Sequence, residues 1–89
     1  MTYPTIHLNG TSLKELIQQT NDASMALQVA IKVLADMSPH GRDYYPQGPD
    51  AHAAALSQHR DAMTCVREAL AYVAEVEKFL AEEELRRVR

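Results

Sequence analysis

The sequence predicts an all-α fold: an antiparallel two-helix hairpin with a short extended N-terminal arm, assembling into a homo-oligomeric helical bundle. Three observations carry this. Two long stretches repeat apolar residues every three and four positions, the spacing of a helix face. Between them lies Ser38 to Pro49, which holds three of the four prolines and two of the three glycines. The apolar mass is mostly Ala, Leu, Val and Met, with five aromatic residues and no Trp, a helix-forming composition. With 89 residues the chain is one domain with a thin core, because so short a chain buries only about 60% of the surface it exposes when unfolded.

In chain order, residues 1–11 form the arm. Ile6 and Leu8 alternate around His7, which suggests extended backbone laid on an apolar surface, and Asn9-Gly10 marks a turn. The first helix, 12–37, opens on Ser12 with Glu15 three residues on, the capping-box spacing. Its inward stripe reads Leu13, Leu16, Thr20, Ala23, Leu27, Ala30, Leu34 and Met37. Met25, Ala26, Val29, Ile31 and Val33 add a second apolar surface that a single partner helix cannot cover. Self-association follows, with a dimer as the minimum and higher closed symmetry such as a hexamer also compatible.

Pro39 ends the first helix, since it lacks an amide hydrogen and disfavours a helical Ser38. After the 38–50 turn, Asp50 is placed to cap a second helix over 51–85, leaving 86–89 as a frayed tail. The expected inward stripe of this helix is Ala55, His59, Ala62, Val66, Ala69, Val73, Val76 and Leu80, flanked by Leu56, Met63, Leu70 and Phe79. Glu82 with Arg86 and Glu83 with Arg87 have helical ion-pair spacing.

Several chemistries are excluded by what the chain lacks. The net charge of −3 opposes binding to DNA or RNA polymers, which needs a basic excess. His52 and His59 share a helix face about 10.5 Å apart, too far to hold one metal ion, and no HExxH or CxxC pattern occurs. His59 reads instead as a hydrogen-bonded, partly buried histidine. No nucleophile, base and acid arrangement or phosphate loop can be assembled, so no enzyme, cofactor or metal is expected. The lone Cys65 forms no internal disulfide and fits a reducing compartment, the cytoplasm, which the phage resemblance given below makes the host bacterial cytoplasm; it reads as a small helix residue, with a regulatory thiol the alternative. No membrane span or signal peptide is visible.

The candidate binding residues cluster at the turn. His40, Arg42, Tyr44 and Tyr45 combine a planar cation that can grip phosphate with rings on which bases stack. The alternative is that Arg42 pairs with Asp43 or a helix end while the tyrosines pack under the turn. Asn9 and Thr11 offer polar groups at the positive end of the first helix dipole. Lys32 and Arg67, isolated on apolar surroundings, would line a pocket between subunits or snorkel to solvent.

The runs His7-Leu8-Asn9-Gly10-Thr11-Ser12 and Pro39-His40-Gly41-Arg42-Asp43-Tyr44-Tyr45-Pro46-Gln47-Gly48 resemble a set of small phage and prophage helical-hairpin proteins over nearly the whole chain. In size, hairpin pattern and implied assembly the chain is also similar to the phage anti-CBASS sponges, which sequester cyclic di- and trinucleotides. That second similarity is architectural and carries no residue across. It implies a non-enzymatic anti-defence protein that binds a cyclic oligonucleotide in pockets between subunits. The runner-up expectation is a phage interaction or assembly factor that docks another protein and takes no small ligand.

Overall fold

Residues 1–88 are described by a computed structural model of the chain. Helix α1 spans Leu13–Asp36 and α2 spans Ala51–Val88, joined by two short 3-10 turns, Gly41–Asp43 and Tyr45–Gln47. No strand occurs among the described residues. The two helices lie side by side as a hairpin 63 × 22 × 21 Å, with a radius of gyration of 19.3 Å. A compact chain of 89 residues would have a radius near 12 Å. The molecule is therefore a rod.

Helix α1 begins as its sequence dictates: Ser12 Oγ accepts the Glu15 amide at 3.1 Å, satisfying one of the free donors of the first turn. The stripe Leu13, Leu16, Thr20, Ala23, Leu27, Ala30 and Leu34 is half-buried throughout. Thr20, its polar member, turns its hydroxyl onto the Leu16 and Ile17 carbonyls at 3.1 and 3.0 Å, so no polar hydrogen is wasted in the seam. Met37 departs from the expected stripe. The helix has ended at Asp36, and Met37 is the capping residue, exposed to solvent. Of the second apolar surface, Ile31 lies on the inner flank, while Met25, Ala26, Val29 and Val33 face outward.

On α2 the seam runs Leu56, His59, Met63, Val66, Leu70, Val73, Glu77 and Leu80, alternating steps of three and four. Met63, Val73 and Leu80 are the buried residues, and Leu80 is 1% exposed. The expected stripe is corrected at Ala62 and Ala69, which are exposed. The seam bends toward the larger Met63 and Leu70, since larger side chains fill the space between helices. Glu77 joins the seam beside the expected Val76, which is also half-buried.

Helix α2 starts with the Asp50 carbonyl accepting the Ala54 amide at 3.1 Å. It continues to Val88, so residues 86–88 of the expected frayed tail are helical; Arg89 lies outside the described residues. Glu83 explains part of this persistence by holding both Arg86 at 3.1 Å and Arg87 at 3.6 Å. The pairing of Arg86 differs from the Glu82 expected for it, because residues three apart are helix neighbours as well as residues four apart.

The arm folds back onto α2 through Tyr3, whose ring stacks on Phe79 at 4.7 Å and 3°. The expected anchors were Ile6 and Leu8. Ile6 is half-buried, but Leu8 is 98% exposed. The turn that closes with the Gly10 amide on the His7 carbonyl at 3.1 Å breaks the two-residue alternation there and swings Leu8 outward. Desolvation of the Tyr3 phenol, then the charge of Glu75 and its long 3.4 Å contact, then Glu82, raise the Tyr3 pKa above its ordinary value of about 10. The neutral phenol is the form that docks. Its contribution is complete below pH 10 or so and is lost as pH rises through the raised value. Tyr3→Ala is expected to free the arm at neutral pH, read as loss of amide-exchange protection in residues 3–7 with α1 and α2 still protected. Undiminished protection in that variant would show that Tyr3 is not the anchor.

Candidate functional site

The turn end of the hairpin is built from histidines. Met37 and Ser38 amides close the last turn of α1 on the Leu34 and Ala35 carbonyls, each at 3.2 Å. His40 Nδ1 then accepts the Arg42 amide at 3.2 Å and opens the first 3-10 turn. Amides of Asp43, Tyr44 and Gln47 continue the run on the carbonyls of His40, Gly41 and Tyr44, each at 3.0 Å. Gly48, with φ of +112°, lets the chain exit where a side chain would be strained.

Two imidazoles on α2 hold this turn down. His52 Nε2 lies 3.1 Å from the Pro39 carbonyl, and His59 Nε2 lies 2.7 Å from the Leu34 carbonyl. Carbonyl oxygens only accept, so both rings carry hydrogen on Nε2. Leu34 O belongs to the last turn of α1 and already accepts the Met37 amide at 3.2 Å; His59 adds a second donor to it from 25 residues away. The reading of His59 as a hydrogen-bonded, half-buried histidine holds. His59→Ala is expected to cost about 0.5–1.5 kcal/mol in chemical denaturation, the net worth of one hydrogen bond, since the Leu34 carbonyl keeps the Met37 amide. A cost below about 0.5 kcal/mol would remove the tie from the account of stability.

The four turn candidates divide into two pairs. His40 caps its own backbone, and Tyr44 packs its ring over His52 at 6.1 Å and 25°; both are occupied structurally. Arg42 and Tyr45 are exposed, Tyr45 at 77%, and Arg42 forms no ion pair among the described residues. The alternative pairing of Arg42 with Asp43 is not made. Close by, an open groove of about 300 Å³ is lined by Ala35, Ser38, Leu56, His59, Arg60, Met63 and Arg67. Arg67 thus lines a groove that reaches Ser38, together with Arg60, which the sequence reading passed over. Their seven-residue spacing, two helical turns on one face, is the signal that could have found it.

The remaining candidates lie elsewhere. Asn9 and Thr11 are exposed before the start of α1, and that helix, about 36 Å long, separates them from the turn. Lys32 is exposed on the flank of α1 beside the outward apolar face. Within one chain these eight residues do not form one site.

No family model, curated protein or solved structure matches the chain. The likeness to small phage proteins rests on the quoted runs alone. Other indications are negative in kind: among the described residues no group of three or more His, Cys, Asp or Glu is placed to hold a metal ion, and no helix is long and apolar enough to cross a membrane.

An exposed apolar row runs along the outer side of α1, with Asp22 and Asp36 on the same side. Met25, Val29, Val33 and Met37 are between 58% and 67% exposed, with Ala26 among them. At 100° per residue Met25, Val29 and Val33 lie on the side of α1 turned away from α2, and Met37 follows them at the helix cap. No residue of α1 is fully buried.

Proposed function

We propose that this chain is a non-enzymatic interaction protein of the phage assembly or regulatory kind, whose working surface is the outer face of α1. One observation carries the reading: three large apolar side chains of α1, Met25, Val29 and Val33, and its capping residue Met37 follow one another in steps of four and stand exposed with no element of the chain to cover them. Apolar side chains scattered singly are ordinary on protein surfaces, whereas a contiguous row marks a docking surface. The hairpin presents that row along a helix of 24 residues, which suits helix-in-groove or helix-on-helix recognition. The test compares the wild-type chain with a Val29→Asp/Val33→Asp variant, each immobilised at equal helicity by circular dichroism. The expected result is a stoichiometric protein partner, another copy included, on the wild type and its loss on the variant. Equal recovery on both, or none on either, overturns the reading.

A second reading, sequestration of a cyclic di- or trinucleotide, is favoured by the free Arg42 and Tyr45 and by the groove bearing Arg60 and Arg67. An arginine fork matches phosphate, and an exposed phenol offers a stacking face. Here the turn is the ligand surface and Lys32, Asn9 and Thr11 enter only from a second subunit. Calorimetry against cyclic di- and trinucleotides is expected to show binding that Arg42→Ala or Tyr45→Ala abolishes. A panel that produces neither heat nor a shift in melting temperature removes this reading and leaves the first intact.

A further inference from the structure

We propose that the occupant of the outer α1 face is a second copy of this chain, its α1 packed antiparallel about a two-fold axis between Val29 and Val33; this rests on the docking reading above. Surface area argues for a partner of this size. A folded monomer of 10.0 kDa exposes about 5,200 Å², and this chain exposes 6880 Å², some 1,600 Å² more. A stable interface removes about 800 Å² from each partner. The excess is twice what a dimer requires.

A rod has surplus surface in any case, but here the surplus includes the outer side of the one helix that buries no residue. Pairing two such faces sandwiches each α1 between its own α2 and the other α1. Because the face points away from α2, the result is a layer of four helices with the α1 pair in the middle, rather than a square bundle. The row from Met25 to Met37 spans about 18 Å, or three helical turns, and Ala26 allows close approach.

The orientation follows from charge. Asp22 and Asp36 fall on the same outer side as the row. In a parallel pair each would meet its own copy, and like charges in direct register are unfavourable. In the antiparallel pair Met25 lies level with the partner subunit's Met37, and Val29 with the partner subunit's Val33. Asp36 then comes level with the partner subunit's Ala26, about one turn from the partner subunit's Asp22. Antiparallel packing also sets the helix dipoles in opposition, which is favourable.

Sedimentation and light scattering of the full chain decide the matter. The expected mass is twice 10.0 kDa at micromolar concentration, and Val29→Asp/Val33→Asp is expected to weaken association at least about 100-fold by burying unpaired charge. A monomer at 100 μM wild-type concentration overturns the inference; the docking reading survives that result if another protein still binds the wild type and not the variant. A dimer unaffected by the two aspartates overturns the placement of the interface. The register has its own measurement, in a Val29→Cys/Val33→Cys/Cys65→Ser chain that is oxidised and digested. Peptides linking 29 to 33 between subunits are expected, and links of 29 to 29 and 33 to 33 overturn the antiparallel arrangement.

Discussion

Leu80→Ala is expected to remove about 2–5 kcal/mol of stability, the range for deleting a buried leucine and leaving a cavity. Leu80 is the most enclosed side chain of the molecule, and only Met63 and Val73 join it in the buried class among the described residues. A large domain spreads such a loss over a deep core. This hairpin cannot, because its seam is one helix wide and a chain of this size is stable by roughly 4–13 kcal/mol. The loss is therefore a large share of the total. Urea denaturation at fixed protein concentration measures it, since any association makes apparent stability concentration-dependent. Cys65→Ser is the control: the thiol is exposed, and its change is expected within about 0.5 kcal/mol. A Leu80→Ala cost below about 1 kcal/mol would mean that Leu80 is not where the helices lock.

Leu80 was legible from periodicity, as was the whole α1 seam from Leu13 to Leu34. A strict alternation of three and four is a one-dimensional pattern, and helix geometry converts it directly into a face. The start of α1 was legible too, because capping is local chemistry between Ser12 and Glu15. What failed were features that depend on distant neighbours. Ala62 and Ala69 fit an inward stripe as well as Met63 and Leu70 do by spacing, and only the packed partner selects the larger pair. Tyr3 meets Phe79 at a separation of 76 residues, a contact no window of sequence contains. Leu8 was misplaced because a single turn hydrogen bond reverses the alternation.

The site was legible in composition and illegible in geometry. His40, Arg42, Tyr44 and Tyr45 are adjacent in the chain, but 3-10 turns rotate successive residues by about a third of a circle, so neighbours point apart. Two went into the structure and two were left outside. Arg60 escaped because it is ordinary as an isolated exposed arginine and becomes notable only beside Arg67 over the Met63 floor. The outer face of α1 was visible as excess hydrophobicity from the start, since no second element of the chain was available to cover it.

Glu77→Met is expected to raise stability by about 1–3 kcal/mol, and the physical reason lies in the seam itself. Glu77 Oε1 is fully enclosed and has no hydrogen-bond partner. A buried acceptor left unsatisfied forfeits its water without replacement, and an apolar residue of similar length recovers that loss while keeping the packing. Glu77→Gln keeps a polar group in place and is expected to gain less. Thermal and urea unfolding of both variants, at the wild-type concentration, provide the comparison. The gain would come with a consequence for specificity. Thr20 and Glu77 line the same groove with Leu80, a polar member of each stripe brought level across the hairpin. A register slip of one turn would carry each against an apolar row, so the polar pair opposes slippage in the way a buried polar residue fixes register in coiled coils. The stabilised Glu77→Met chain should therefore show broader oligomer heterogeneity by sedimentation. A variant that is both less stable and equally uniform would mean that the carboxylate has a donor in the assembled protein, and the assembly would then be where to find it.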